Sequence, residues 1–484
     1  MKKASLLFGC LCWVFFAQGQ TTFMKYYYGF GTAQFVLNEL GSGNLVVGMA
    51  QESGTSVVDP LGNVLHSQCY AIDTFVALQS VKRYTDNEFV FVGAYWKDPC
   101  AVSGGKKFYP VVGRMDSLGN ILTAKHYVLN TPLCTNQGGE LEITRGNDVI
   151  AWGPQFFALR VDSMGVPKWA KRFGLNGTFQ FIKELPGGDL LAGINMDSAG
   201  AVVARLDPDG NFLWCKSYIR PGGVIHDCVI ESDDAFVITG YTETIEGGDL
   251  FITPPPPYHP KLFMLKLDGA GDVQWCRGYA SQYSWIASSS GTRITHALDS
   301  NYVVLANIRT ESAAYPFLMK TDLNGDTLWT RCSGRAGSLH DVINMVACSD
   351  GSYMYNGQAY GLGMYMFKTD SLGHLPCFER WLPVQLSDLF PTDSSFTLAS
   401  SDGAFAFPAF LTDTIYDPLT VVEACGLMHV PPSARRTNRM TVRPNPNIGR
   451  FIVEFDDPLM ADSYYSVYDI MGKLLYQRPI PAGA

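Results

Sequence analysis

Seven copies of one motif, spaced 45 to 61 residues apart, run along the chain: an Asp is followed three residues later by a Gly, and apolar runs flank the pair on both sides. The copies are "VVDPLGNVLH" at Asp59, "GRMDSLGNIL" at Asp116, "LRVDSMGVPKW" at Asp162, "ARLDPDGNFLW" at Asp207, "LKLDGAGDVQW" at Asp268, "MKTDLNGDTLW" at Asp322 and "FKTDSLGHLPC" at Asp370. An Asp at the first position favours a type I turn, and a Gly three residues on takes the left-handed conformation that turns the chain into a returning strand. Each copy therefore predicts a tight β-hairpin. In four copies a Trp stands seven residues after the Asp: Trp169, Trp214, Trp275 and Trp329. Calcium loops share the Asp and Gly flavour but need alternating oxygen ligands and a distal bidentate Glu, which these copies lack.

A second hairpin precedes each first one. Its turns are "GSGN", "TDNE", "RGND", "PGGD", "SDDA", "DSNY" and "SDGS", followed by apolar strands closing on Gly48, Gly93, Gly153, Gly193, Gly240, Ala306 and Gly357. Each unit then holds four strands. The steps from Asp to Asp are 57, 46, 45, 61, 54 and 48 residues, a mean of about 52, which resembles the length of kelch-type propeller blades. The fold class expected is all-β: a seven-bladed β-propeller followed by a small, partial β-sandwich. The Asp-Gly-Trp pattern also resembles quinoprotein propeller repeats, although their Thr before the Gly is missing and the kelch Gly-Gly doublet is not kept in register. With strands named A to D from the axis outward, the short A–B and C–D turns share one face. The B–C loops and D–A crossovers share the other, which receives the long insertions 95–110, 242–261 and 281–293. "FMKYYYG" near the N-terminus matches D strands such as "FLWCKSY". It is expected to complete the seventh blade as its outermost strand, because that repeat's own D segment is broken by Pro376.

Composition decides destination and excludes some partners. A net charge of -9, with no basic run longer than a pair such as Arg435-Arg436, argues against nucleic acid. "MKKASLLFGCLCWVFFAQGQ" pairs two lysines with a short apolar run and small residues at cleavage spacing, so residues 1–19 read as a secretory signal peptide. The run is too short to span a membrane, and no later segment is long enough. Outside that peptide ten cysteines remain, and an oxidising compartment permits disulfides. Cys100 with Cys134, and Cys377 with Cys425, are the pairs expected, whereas Cys69, Cys215, Cys276 and Cys332 fall on D strands and read as buried thiols. Neither metal nor cofactor ligands cluster in the sequence.

The propeller is expected over 20–382 and a β-rich extension packed on it over 383–429, since that stretch lacks the Asp-Gly frame. A linker follows at 430–440. Residues 441–484 contain "TVRPNPNIGRFIVEF" and "YYSVYDIMGKLLYQ". Pro444, Asn445, Pro446 and Gly449, then Val467, Tyr468, Asp469, Gly472 and Lys473, resemble the type A C-terminal sorting domain of the type IX secretion pathway. That resemblance implies a small β-sandwich, passage across the outer membrane by the type IX machinery, and a secreted or cell-surface location. The family continues with further strands beyond the point where this chain stops, so the domain reads as partial.

For chemistry the sequence offers only two His-Asp dipeptides, His226-Asp227 and His340-Asp341, ahead of innermost strands. No nucleophile elbow, zinc helix or phosphate loop accompanies them. The expected function is non-catalytic binding of a protein or glycan through the long-loop face, with Trp96, Tyr258, Tyr283 and Trp285 as aromatic anchors and a monomer as the working unit. The alternative is an extracellular polysaccharide lyase or hydrolase with acidic residues at the channel mouth.

Overall fold

The Asp frame closes as its chemistry requires. In the fourth repeat Asp207 Oδ1 accepts the N–H groups of Asp209 and Asn211 at 2.9 and 2.8 Å. Gly210 donates to the Asp207 carbonyl at 2.9 Å with φ 76°, and the ladder slips one residue between Arg205 and Leu206. The turn is therefore a type I turn with a bulge. Gly62, Gly119, Gly165, Gly271, Gly325 and Gly373 repeat the bond and the positive φ.

The computed structural model describes strands and tight turns between residues 22 and 423, and four strands within 440–480; residues 1–21, 243–260 and 424–439 are the longest stretches outside them. The described residues form strands and turns with no helix. Two compact units divide the chain, Met1–Gly426 and Leu427–Ala484.

Unit one is a β-propeller. In the fourth repeat Gly177–Glu184, Leu190–Met196, Gly200–Leu206 and Phe212–Ile219 pair antiparallel in that order, and seven sheets with this order occur. Against the seven blades predicted, six are described down to the side chains of their inner strands. In the first repeat, Phe35–Glu39, Leu45–Met49, Gly54–Val58 and Val64–Ala71 are placed by their backbone ladder, and most side chains of the two inner strands lie outside the described residues. The core sits between successive sheets: Ile150 and Trp152 of the third repeat pack with Leu190 and Val202 of the fourth, and Phe181 and Leu191 with Phe236 and Leu265 of the fifth. Burying both faces of every sheet explains the near-continuous apolar B and C strands.

The Trp seven residues after the Asp joins neighbours. Trp214 Nε1 donates to the Gly269 carbonyl of the next repeat at 3.1 Å, and Trp169 Nε1 to Pro208 at 2.9 Å. The rings cover the next turn's Gly so closely that a Cβ on Gly271 would lie 2.9 Å from Trp214, and one on Gly373 2.7 Å from Trp329. Four residues after the Trp position a Tyr adds a second tie: Tyr127, Tyr218 and Tyr279 donate to Gly165, Gly271 and Gly325 at 3.0, 2.6 and 2.6 Å.

Phe23–Tyr28 closes the ring with the same device. It pairs antiparallel with Gly363–Lys368 of the seventh repeat, Phe23 occupies the Trp position over Gly62 of the first, and Tyr27 Oη donates to the Gly62 carbonyl at 2.7 Å. The strand is fourth of five rather than outermost, because Thr420–Glu423 pairs along its far side.

That fifth strand belongs to the segment lacking the Asp-Gly frame. Glu379–Arg380 joins the outer edge of the sixth sheet, Gln385–Asp388 the fifth, Ser394–Ser395 the fourth and Ser400–Asp402 the third. Ala404–Pro408 joins the second, Thr412–Ile415 the first and Thr420–Glu423 the seventh. The extension is thus a belt running backwards round the ring, one short strand per sheet. It does more than pack on the rim, because it satisfies the exposed backbone edge of each D strand.

Unit two holds two separate ladders, Met440–Arg443 with Ile452–Phe455 and Ser463–Tyr468 with Leu474–Ile480. Cys215, Cys276 and Cys332 are buried free thiols, as are Cys228 and Cys348. Each of the two expected disulfides has one member outside the described residues, and no bond joins two described cysteines. Cys134 lies in Leu133–Cys134, opposite Lys107, while Cys100 lies outside the described residues. Cys377 is disulfide-bonded, but Cys425, its expected partner, lies outside them as well.

Candidate functional site

The innermost strands should be the least charged part of a propeller, yet several carry ions at fixed distances from their turns. Lys82, Glu142 and Lys183 each stand two residues before the residue whose N–H closes the A–B turn, namely Tyr84, Thr144 and Leu185. Glu140 and Arg293 stand four before Thr144 and Ala297. Because equivalent positions on adjacent inner strands face one another round the axis, these side chains meet.

Lys82 of the second repeat pairs with Glu142 of the third. Lys183 of the fourth donates to Asp227 Oδ1 of the fifth at 2.7 Å and also to the Cys228 carbonyl. Asp227 Oδ2 accepts the Ile294 N–H of the sixth repeat at 3.1 Å, and Arg293 reaches Glu140 of the third at 3.6 Å. Lys82, Lys183 and Arg293 thus balance Glu140, Glu142 and Asp227. Burial by itself would raise the Asp227 carboxyl, but Lys183 and Arg293 outweigh it and hold the group below the ordinary range. Burial opposes the charge on Lys183 too, and Asp227, with the neighbouring anions, restores it and raises its affinity for the proton.

His226 stands beside this network in a different state. The ladder skips it between Ile225 and Asp227, and its ring lies 5.4 Å from that of Tyr241. Burial first, then the nearby Arg293, pushes its pKa down to about 3 against the pull of Asp227, so the imidazole is neutral at physiological pH. Its Nε2 meets no hydrogen-bond partner among the described residues. His226-Asp227 follows Ile225, the residue opposite the closing Gly240, whereas His340-Asp341 precedes Val342, which faces Gly357. The two dipeptides are therefore not equivalent and do not form one constellation.

Of the aromatic anchors expected from sequence, two lie on described strands, in the second and the sixth sheet. Trp96 lies in Glu88–Pro99 opposite Phe108, and Trp285 in Trp285–Ile286 opposite Arg309. Their side chains, with Tyr258 and Tyr283, lie outside the described residues. The insertion 95–110 is mostly an extended hairpin, since pairing continues to Pro99 and resumes at Lys106. Of the sorting motif, Tyr468 pairs with Leu474, while Pro444, Asn445, Pro446, Gly449, Asp469 and Gly472 lie outside the described residues. Sequence reasoning missed Lys82, Glu140, Glu142, Lys183 and Arg293. Their signal was a charge two or four residues ahead of the residue that closes four of the A–B turns.

No protein-family model and no curated protein matches the chain. Among solved structures it is similar to a Bacteroides caccae protein of unknown function, with 11% identity, a TM-score of 0.36 and coverage of 62% of this chain and 94% of that one. A streptogramin B lyase structure gives 11% identity, a TM-score of 0.40 and coverage of 72% and 97%. The N-terminal domain of Nup159 gives 10%, 0.40, and coverage of 72% and 95%. Likenesses of this strength say nothing about what the chain binds or does.

Proposed function

We propose that the chain is an exported, seven-bladed, non-catalytic propeller, secreted or held at the cell surface, that binds a protein or glycan through its long-loop face. The observation that supports this reading is the pairing of the ions around the axis. A lyase or hydrolase needs carboxyl groups whose oxygens are free to take or give a proton. Here Glu142, Asp227 and Glu140 each face a cation. A charge-matched interior suits a rigid scaffold that presents loops.

In this reading residues 441–484 are the sorting domain that engages the type IX machinery, and Cys100–Cys134 and Cys377–Cys425 fasten the loop face and the end of the belt. Binding of the mature chain to a glycan array tests it. Expected is a discrete set of hits that Trp96→Ala or Trp285→Ala weakens at least about tenfold, as loss of an anchoring ring does. Release of shortened or unsaturated sugar from any hit would instead establish an enzyme.

A further inference from the structure

The aromatic ring that stands seven residues after each frame Asp is missing at one junction. That position holds His66, Thr123, Trp169, Trp214, Trp275 and Trp329 in the first six repeats, and Phe23 of the closing strand supplies it for the seventh. The ladder partner is equivalent in each sheet: Thr123 faces Arg114 as Trp169 faces Arg160 and Phe23 faces Lys368. Thr123 is thus the one residue of the series without a ring.

The space such a ring would fill is open. Between the third and fourth repeats Trp169 packs against Ile150, Leu190 and Leu206. One junction earlier the ladders put Val90, Val149 and Val161 at the same three positions. These valines, with Thr123, Ser163 and Met164, line a cavity of about 370 Å³ including its open mouth. The neighbouring lysine does not take the place of the ring. A Cβ on Gly165 would lie 3.1 Å from the Lys125 stem, and one on Gly210 would lie 3.3 Å from that of Lys171 and 3.1 Å from Trp169, so ring and lysine fit side by side.

The cavity also holds an acceptor. Pro208 and Gly269, each the residue after a frame Asp, accept the Nε1–H of Trp169 and Trp214 at 2.9 and 3.1 Å through their carbonyls. Arg160 and Arg205 add a second donor to the same carbonyls at 2.9 and 3.2 Å. Ser163 is the equivalent residue after Asp162, and no indole reaches it. Arg114, the equivalent arginine, pairs instead with Glu88 and lies 4.7 Å from the centre of the Tyr84 ring, its buried Nε without a partner among the described residues. The Ser163 carbonyl therefore receives neither bond.

We propose that the cleft between the second and third repeats binds a ligand carrying an indole ring. The ring lies on Val90, Val149 and Val161 and donates its N–H to the Ser163 carbonyl, as Trp169 and Trp214 do for their own junctions. Sheets packed on both sides hold these walls in place, so the ligand finds its site already formed. The cleft opens beside an Asp-Gly turn, away from the long loops, and does not depend on what those loops bind.

The test titrates the full chain with indole, 1-methylindole and the peptide Gly-Gly-Trp-Gly-Gly, read by ligand-observed NMR. Indole should bind saturably, and 1-methylindole, which has no ring proton to give, at least about tenfold more weakly. Thr123→Trp supplies the ring from within the chain and should abolish binding while raising the melting temperature, and Thr123→Phe is the smaller filling variant should the first not fold. Tighter binding of the peptide than of indole would make a protein Trp the source of the ring, and binding of indole alone would make it a small molecule; either supports the site. Absence of saturable binding by both indole and peptide would overturn the proposal. So would equal affinity for 1-methylindole, or indole binding that survives in a folded filling variant.

Discussion

A glycine in these turns meets two separate demands, and the structure allows them to be told apart. Gly188 has φ 97° with nothing within 4 Å of a Cβ, whereas Gly271 has φ 79° and a Cβ there would meet Tyr218 Oη at 2.7 Å and Trp214 at 2.9 Å. Gly188→Ala should therefore cost about 1 kcal/mol from backbone strain alone. Gly271→Ala should cost about 3 kcal/mol, since it also displaces the tie between repeats; urea unfolding of both variants measures the contrast. At Lys183 the stake is an unpaired buried charge. Lys183→Met should destabilise by about 3 to 5 kcal/mol, and adding Asp227→Leu should recover much of that loss, because removing both ions leaves nothing to solvate. His226 sets a pH dependence. Its pKa is lower in the folded protein than the ordinary value near 6.5, so its contribution is intact above that value and is lost as pH falls towards about 3. In that window the wild type should lose about 1.4 kcal/mol per pH unit more than His226→Phe, read from thermal melts at stepped pH.

Among the elements, the belt is the one whose removal is most informative. Its strands are only two to five residues long, as in Ser394–Ser395 and Ala404–Pro408, and could not hold together as a sheet of their own. Each is stabilised by the edge it covers, and each edge is closed to other chains in return. A chain ending at residue 378 should keep its propeller but melt lower, by on the order of 5 °C. It should also self-associate through its D strands, which sedimentation velocity would detect. A monomeric truncated chain with unchanged melting would show that the belt is ornamental.

For the whole molecule, closure rests on joining the two ends. The seventh sheet contains strands from residue 23 to residue 423, with Phe23–Tyr28 held between Gly363–Lys368 and Thr420–Glu423. Lys25 reaches across to Asn63 Oδ1 of the first repeat at 2.8 Å, beside the bond from Tyr27 to Gly62. A chain beginning at residue 29 should lose both ladders and the seam, and its urea midpoint should fall further than that of any single-residue variant above. Adding the peptide FMKYYY in trans should raise the midpoint in proportion to the logarithm of its concentration, as ligand linkage requires. No rise would mean that the seam closes without this strand.

The propeller was legible in the residues because its determinants are local. Asp207 and Gly210 set their turn within five residues, the spacing between copies measures one blade, and Phe23, Lys25 and Tyr27 repeat the Trp214, Lys216 and Tyr218 pattern closely enough to find the closing strand. The belt was not legible, since Glu379–Arg380 or Ser394–Ser395 pairs through backbone groups that every residue carries, and its register depends on edges more than a hundred residues away for some strands. The partnership of Lys183 with Asp227, or of Arg293 with Glu140, was equally hidden. Each charge is visible in the chain, but which inner strands face one another is decided only when the ring closes, because Coulomb energy depends on distance in space and burial rather than on separation along the sequence. The same holds for Leu61 and Leu372, both exposed: they lie at opposite ends of the repeat array, and only the closed ring places their turns on neighbouring sheets.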